Sequence, residues 1–266
     1  MCGSTRHATP ARPPLARSLP WATRPSLFDA MALAHGILSP SGDVIVRGLD
    51  MVRGLHSWAG GAFGELIAED GPDGGDETHA LRLMAAEAFY LAYAAQPCRL
   101  LISRPAAPRA AGTSDAAGAP MASETPAAAA SALGKAECWD ALTEAEPLVP
   151  QLYATYVALR AAGWRIRDGL KFGFDYALYD AAGGPAAHAP LGALVLEPDA
   201  DGERSWLWLQ RHVRVCHSVG KNLLLCHVQH VPAGDGGAAA AGPAGDLEVT
   251  TLRVRGWDVG KAHASA

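Results

Sequence analysis

A low-complexity stretch near the middle of the chain divides it into two parts. Between Arg104 and Gly134 the residues are almost all Ala, Pro, Ser and Gly. This composition cannot bury enough apolar surface to offset the conformational entropy that is lost on folding. We therefore expect residues 104–134 to be a disordered linker, between a small N-terminal domain over 26–103 and a larger C-terminal domain over 135–262.

Charge and hydrophobicity limit the kinds of protein that this chain can be. Hydrophobic residues make up 49% of the 266 residues, which is enough for a sizeable core. No apolar run reaches the roughly 18 residues needed to cross a bilayer, so no membrane role is expected. The net charge of -5 argues against bulk attraction to nucleic acid, because such affinity scales with the number of phosphates neutralised. A nucleic-acid substrate would need a local basic patch or partner subunits.

Cysteine spacing and the N-terminal residues bear on the cellular compartment. The five cysteines contain no CxxC pair, so neither a disulfide framework nor a zinc ribbon is indicated, and a reducing compartment is expected. We expect residues 1–25 to be a disordered tail. The first 28 residues hold four arginines and no acid, a composition that overlaps with organelle transit peptides. Both interpretations of the tail stay open.

The N-terminal domain is predicted to combine helices with a short strand. In SLFDAMALAHGILS, Leu27, Met31 and Ala34 recur at helical spacing, and Gly36 is expected to end the helix. DVIVRGL is predicted to be a strand. THALRLMAAEAFYLAYAAQ carries one apolar stripe and few β-branched residues, which predicts one helix that stops at Pro97.

The C-terminal domain is predicted to be a mixed sheet flanked by helices, which makes the chain an α/β (α+β) protein. One helix begins near Pro150 and ends at Gly163, where a left-handed cap belongs. A second helix, SWLWLQRHV, has Trp206, Leu209 and Val213 at helical spacing. GDGGAAAAGPAG is expected to be a flexible loop. The predicted strands are WRIRDGLKFG, DYALY, LGALVLE, NLLLCHVQHV and LEVTTLRVRGW.

Three side chains of this half carry groups that are suited to metal-free ribonuclease chemistry. Tyr179 lies near a strand end, and His188 follows a Gly/Pro loop, where an imidazole can face a groove. Lys221 opens an apolar run, so its ammonium must reach solvent, a carboxylate or a bound phosphate. A phenol, an imidazole and an ammonium can together move the 2′-hydroxyl proton, protonate a leaving 5′-oxygen and neutralise a pentacoordinate phosphate.

The pattern from Tyr153 to Val228 resembles that of a known family. It consists of a helix followed by Gly-Trp, then GLKFGFDYALY, a proline and a histidine, and Arg-x-x-x-x-Val-x-Lys-x-Leu-Leu-Leu. These segments are similar to the catalytic subunits of the tRNA-splicing endonuclease, the tRNA-intron lyase family. AHGILS, FGEL and AEAFYLAY are similar to the eukaryotic subunit assigned to the 5′ splice site, particularly its plant and algal forms.

The resemblance implies an activity and a role for five side chains. It places the family's catalytic tyrosine on Tyr179, its histidine on His188 and its lysine on Lys221. These would act as general base, general acid and electrostatic support in cleavage of precursor tRNA, without a cofactor or metal. The products would be a 2′,3′-cyclic phosphate and a 5′-hydroxyl. Arg214 and Trp257 fall where the family stacks a base between a guanidinium and an indole.

The resemblance also implies partners and a compartment. It implies a heterotetramer with a second catalytic subunit and two non-catalytic subunits, in the nucleus. An organelle is the alternative if the arginine-rich N-terminus is a transit peptide. Two other functions stay open, a non-catalytic structural or RNA-positioning subunit and a stand-alone homodimeric endonuclease. Intact Tyr179, His188 and Lys221 argue against the non-catalytic subunit.

Two competing sites have simpler explanations. Cysteines and histidines of RVCHSVGKNLLLCHVQH could be combined into a metal cluster, but strand alternation sends Cys226 and His227 to opposite faces. Trp206 and Trp208 could form a stacking platform for single-stranded nucleic acid. Packing of the helix against the core accounts for Trp206 at lower cost.

Overall fold

The computed structural model describes residues 33–48, 52, 55, 63–69, 78–95, 100–105, 131–180, 188–196, 204–230, 244 and 246–254. Ala32–Ala266 is one compact unit, and it contains two five-stranded sheets. The N-terminal tail lies outside the described residues, as do most of the predicted linker over 104–134 and nearly all of the loop GDGGAAAAGPAG. The domain boundaries assigned from the sequence stay predictions.

The first sheet belongs to the N-terminal part of the unit. Its spatial order is β3-β4-β2-β1-β5. The pair of β1 and β5 is parallel, and the other pairs are antiparallel. The strands are β1 (Ala34–Leu38), β2 (Val44–Val46), β3 (Glu65–Glu69), β4 (Thr78–Leu83) and β5 (Leu100–Ser103).

In the described residues one helix prediction for this part was wrong and another was right only for its second half, whereas the strand prediction for DVIVRGL is confirmed by β2. Ala34–Leu38 is a strand, because it pairs with β2 on one side and β5 on the other. The segment that begins at Thr78 is first a strand and then helix α1 (Ala85–Phe89), which continues as a π-helical turn over Tyr90–Ala94. Pairing of β4 with both β2 and β3 outweighs the helix propensity of its residues.

The second sheet confirms the predicted fold class and all five predicted strands. Its spatial order is β10-β9-β8-β7-β6. The pair of β8 and β9 is parallel, and the others are antiparallel, so the sheet is mixed. The strands are β6 (Trp164–Asp168), β7 (Tyr176–Asp180), β8 (Leu191–Leu196), β9 (Asn222–His230) and β10 (Leu247–Val254).

Three further helices lie in the described residues, α2 (Lys135–Ala145), α3 (Val149–Ala161) and α4 (Trp206–Ser218). As predicted, α3 has Pro150 in its first turn, and Gly163 behind it has a φ of 89°. An aromatic contact joins α1 to α3, because the rings of Phe89 and Tyr153 lie 5.1 Å apart, edge to face. Such pairs stabilise a core beyond the area they bury.

The second sheet packs a different core on each face. Alternation sends Leu178, Leu191 and Leu224 into the main core beside α3. The opposite face carries a smaller group under α4, which we call the α4-side cluster, made of Phe174, Leu194, Cys216, Leu223 and Leu225. The functional candidates described below lie at one end of this second face.

One residue of α4 does not pack as predicted. Leu209 and Val213 contact the α4-side cluster, but Trp206 is 71% exposed. Trp206 is the first residue of the helix, and Trp208 packs on the cluster in its place. The helix-packing explanation for Trp206 was therefore wrong.

Candidate catalytic site

The end of α4 determines where Lys221 lies. Gly220 has a φ of 66°, and its N–H donates to the carbonyl of His217 at 3.1 Å. The N–H of Lys221 donates to the carbonyl of Cys216 at 2.8 Å. These two bonds form a Schellman motif, which ends the helix and turns the chain into β9. A local sequence signal, glycine before lysine, thus places the ammonium at the start of a buried strand.

This cap leads to a testable prediction. Replacing Gly220 by Ala should destabilise the fold by about 1 to 2 kcal/mol, because a side chain at positive φ is strained. A Cβ at this position would meet nothing within 4 Å, so conformational strain is the whole cost. Gly220→Asn should lose less, because Asn tolerates the left-handed region. Urea unfolding measures both variants, and equal stability of Gly220→Ala and the unchanged protein would contradict the assignment.

Lys221 is tied to the segment that follows His188. Its Nζ donates to the carbonyl of Ala189 at 3.0 Å and lies 4.7 Å from the centre of the Phe172 ring. The N–H of the next residue, Asn222, donates to the carbonyl of Pro190 at 2.9 Å. The ammonium is therefore only partly buried and has a fixed partner.

The ends of three strands bring Tyr179 and Lys221 into one row. Leu178 of β7 pairs with Leu191 of β8, which in turn pairs with Asn222 of β9. One residue beyond each pair, Tyr179 and Lys221 lie on either side of Pro190. Since neighbouring strands are about 5 Å apart, the two Cα atoms are about 10 Å apart. Alternation directs both side chains toward the face that carries α4.

His188 lies two residues before Pro190 and is exposed. Ala189 beside it is 3% exposed and accepts the hydrogen bond from Lys221. The imidazole thus belongs to the same end of the sheet as Tyr179 and Lys221. Residues 181–187, between Tyr179 and His188, lie outside the described residues.

The second tyrosine of β7 belongs to the core. Tyr176 is 2% exposed, and its hydroxyl donates to the carbonyl of Leu152 on α3 at 3.0 Å. Burial raises the pKa of Tyr176 well above that of an ordinary phenol. Tyr179 is only partly buried. Exposure therefore favours Tyr179 over Tyr176 as the phenol that can meet a substrate.

Comparison with known proteins assigns the region that carries these residues. Residues 150–232 match the sequence model of a family described as tRNA intron endonuclease, catalytic C-terminal domain. We call residues 150–232 the endonuclease domain, after this match. The endonuclease domain includes α3, α4 and strands β6 to β9, and it contains Tyr179, His188 and Lys221. The match supports the predicted endonuclease domain in the C-terminal half, and its predicted bounds over 135–262 stay a prediction.

Curated relatives match about a third of the chain. The SEN2 subunit of the tRNA-splicing endonuclease of Eremothecium gossypii is 36% identical over 96 residues, which is 34% of this chain and 26% of the relative. The Arabidopsis thaliana subunit Sen2-2 is 31% identical over 93 residues, 35% of this chain and 36% of the relative. The tRNA-splicing endonuclease of Sulfolobus acidocaldarius is 39% identical over 79 residues, 30% of this chain and 42% of the relative.

The chain therefore spans less than half the length of these relatives. Fungal, plant and archaeal proteins match it at comparable identities, so the likeness to plant and algal forms stays a prediction. Within the part of the chain that the structure describes, no helix is long and apolar enough to cross a membrane.

The endonuclease domain has a basic surface on the outer face of α4. From Arg204 to His230 the sequence contains no Asp or Glu, although the whole chain has a net charge of -5. Arg211 and Arg214 are exposed and lie on the side of the helix opposite Leu209. This surface supplies a local basic patch of the kind that RNA phosphates attract. Trp257, the predicted partner of Arg214, lies outside the described residues.

The cysteines of the endonuclease domain are divided between the two cores. Cys226 packs in the main core, whereas Cys216 packs in the α4-side cluster on the other face. Burial raises the pKa of the Cys216 thiol to about 11 and that of the Cys226 thiol to about 12. Both thiols are therefore protonated near neutral pH, and they do not face a common point.

Two features beside the candidate site were not found from the sequence. The guanidinium of Arg165 lies over the Tyr179 ring, with Cζ 5.1 Å from the ring centre. Arg167, on the same strand, donates to the carbonyl of Gly64. The sequence WRIRD shows that the two arginines alternate along a strand. The groups that they contact depend on the register of β6 with β7 and on Gly64, which lies about a hundred residues away.

Gly64, which accepts the hydrogen bond from Arg167, also contacts a buried acidic side chain. Glu87 of α1 is 1% exposed and accepts a hydrogen bond from the N–H of Gly64 at 3.0 Å. Burial raises the pKa of Glu87 to about 7, while the charges of Arg167 and Arg160 act in the opposite direction. Glu87, Gly64 and Arg167 together attach the edge strand β6 to the rest of the unit.

Proposed function

We propose that the chain is a catalytic subunit of a tRNA-splicing endonuclease, which cuts precursor tRNA at the 5′ exon–intron junction. The observation that carries this proposal is the row formed by Tyr179, Pro190 and Lys221, with His188 beside it, inside the endonuclease domain. The names of its relatives, which are tRNA-splicing endonucleases and their subunits, support the substrate.

The proposed reaction is an internal transfer at one phosphate. Tyr179 removes the proton of the 2′-hydroxyl, and the 2′-oxygen forms a bond to phosphorus. The bond from phosphorus to the 5′-oxygen breaks as His188 donates a proton to that oxygen. The products are a 2′,3′-cyclic phosphate and a 5′-hydroxyl, so atoms and charges balance without water or a cofactor.

Lys221 supports the charge that accumulates on the phosphorane. An ammonium has three donors, so the bond to the carbonyl of Ala189 leaves two for phosphate oxygens. That bond also holds the ammonium in position before the substrate arrives. Preorganised charge of this kind stabilises a transition state more than a mobile side chain does. A phenol is a weak base at neutral pH, so positioning must supply much of the rate.

The chemistry is tested by removing the nucleophile and the metals separately. Cleavage should persist in EDTA when spermidine supports the RNA fold, because the three side chains supply both proton transfers and the countercharge. A 2′-deoxy nucleotide at the cleaved position should abolish cleavage. Loss of activity in EDTA with spermidine present, or cleavage of the 2′-deoxy substrate at the normal rate, would contradict this mechanism.

We propose that Arg214 and Trp257 contribute to binding of the RNA substrate. A guanidinium and an indole can enclose an unstacked base, but neither carries protons near neutral pH. Arg214→Ala should therefore weaken RNA binding by roughly 2- to 30-fold and leave single-turnover cleavage at saturating RNA nearly unchanged. Arg104→Ala, at an exposed position after β5, is the control. A rate loss at saturation as large as that of His188→Ala would contradict this role.

We propose that the chain works in a heterotetramer with a second catalytic subunit and two non-catalytic ones. The acidic net charge supports this assembly, because one helix face carries the basic surface and further RNA contacts must come from elsewhere. β10 is an edge strand whose Leu252 is 62% exposed, which suits burial against another protein. Native mass spectrometry of the co-expressed proteins should give one copy of each subunit.

The co-expressed subunits and precursor tRNA also distinguish two other functions from the proposed one. A non-catalytic structural subunit would leave cleavage unchanged when Tyr179, His188 and Lys221 are all replaced by alanine. A stand-alone homodimer would cut precursor tRNA without the other subunits. For location we propose the nucleus, with an organelle as the alternative, and imaging of a C-terminally tagged full chain separates these outcomes.

A further inference from the structure

Arg165 lies directly beside the proposed general base. It is the pairing partner of Tyr179 across β6 and β7, and residues opposite each other in an antiparallel pair point to the same face. Its guanidinium carbon lies 5.1 Å from the centre of the Tyr179 ring. Arg165 is only 8% exposed, although arginine is seldom so deeply buried without a compensating interaction.

The contact with the ring offsets part of the cost of burying this charge. The face of an aromatic ring attracts a cation, and the attraction grows when water is excluded. The planar guanidinium also covers the ring and limits its rotation.

The strand that carries Arg165 is itself held in place. Arg167, two residues along, donates to the carbonyl of Gly64, whose N–H donates to Glu87. Asp168 at the end of β6 pairs with Arg82 of β4 at 2.6 Å. These contacts give Arg165 a rigid support, so its guanidinium can determine the orientation of the Tyr179 ring.

We propose that Arg165 is a positioning residue for Tyr179, which holds the phenol in the orientation needed for proton removal. It acts through Tyr179 and does not touch the RNA. The inference rests on the proposed function, because it assumes that Tyr179 is the base.

The test uses the full chain co-expressed with its proposed partner subunits, and precursor tRNA as the substrate. Arg165→Met, which keeps the bulk and removes the charge, should lower kcat roughly 2- to 30-fold and leave KM unchanged. Arg165→Lys keeps a cation over the ring and should recover part of the loss. Arg104→Met, an exposed arginine that follows β5 of the other sheet, is the control and should keep normal kcat.

A double-mutant comparison separates positioning from general stability. In the slow Tyr179→Phe background, Arg165→Met should cause no further loss, because the group through which Arg165 acts is gone. The same fold-loss in both backgrounds, a change in KM alone, or normal kcat in Arg165→Met would overturn the inference. If Arg165→Met does not fold, Arg165→Lys in both backgrounds gives the same comparison. Full activity of Tyr179→Phe itself would instead count against the proposed function.

Discussion

Replacing His188 by alanine is expected to slow cleavage about 10²- to 10⁴-fold, because the leaving 5′-oxygen loses its proton donor. Single-turnover rates at saturating RNA measure this effect without interference from product release. The matched control is His230→Ala, since His230 is exposed at the far end of β9 and pairs with Asp246. That variant should cleave at the normal rate.

The identity of the lost group can be checked with a modified substrate. A better leaving group at the 5′-oxygen needs no proton, so it should restore cleavage by His188→Ala. The same substrate should not rescue Lys221→Ala, because the phosphorane still lacks its countercharge. Rescue of both variants, or of neither, would show that the two side chains do not have the separate roles proposed for them.

Replacing Glu87 by alanine is expected to destabilise the fold by about 1 to 3 kcal/mol, which is the usual cost of leaving a buried hydrogen-bond donor without its partner. The N–H of Gly64 would lose its acceptor, and Arg167 would lose the nearby carboxylate. The control is Glu65→Ala, because Glu65 pairs with Arg82 in a more exposed position and should cost less than about 1 kcal/mol. Urea unfolding measures both, and equal losses would contradict the special role of Glu87.

Glu87 also makes stability depend on pH in a defined direction. Its pKa is raised from 4.5 to about 7 in the folded chain, so the folded state holds this proton more tightly than the unfolded state. Its contribution to stability is therefore full below about pH 4.5 and is lost as the pH rises to about 7. Burial also raises the pKa values of Asp43 and Asp175, so the pH dependence of stability combines several groups. Comparison with a variant that lacks the Glu87 carboxyl group isolates the contribution of Glu87.

Glu87→Gln is the variant for this comparison, because its side chain does not titrate. The free energy of unfolding of the unchanged protein should fall, relative to that of Glu87→Gln, as the pH rises through this window. A constant difference between the two proteins would show that Glu87 does not titrate there in the folded state.

Much of the endonuclease domain was predictable because its signals are local. Pro150 and Gly163 delimit α3, and Gly220 before Lys221 closes α4 with a left-handed turn. The β-rich segments bounded by turn residues gave all five strands of the second sheet. The positions of Tyr179 and Lys221 at strand ends follow from these same signals.

The features that were missed depend on contacts between distant segments. Ala34–Leu38 becomes a strand only because β2 and β5 lie beside it. Arg165 meets Tyr179 because the turn between β6 and β7 sets their register, which helix and strand propensities do not determine. Glu87 is buried under Gly64, and only the assembled unit brings the two together.

The most direct test of the central claim is an analysis of RNA ends after cleavage of an intron-containing precursor tRNA by the full chain co-expressed with its partner subunits. The proposed site predicts a cut at the 5′ exon–intron junction that leaves a 2′,3′-cyclic phosphate and a 5′-hydroxyl, and that disappears when Tyr179, His188 and Lys221 are replaced by alanine. Products with a 5′-phosphate and a free 3′-hydroxyl, or the same cut made by the triple variant at the normal rate, would contradict it.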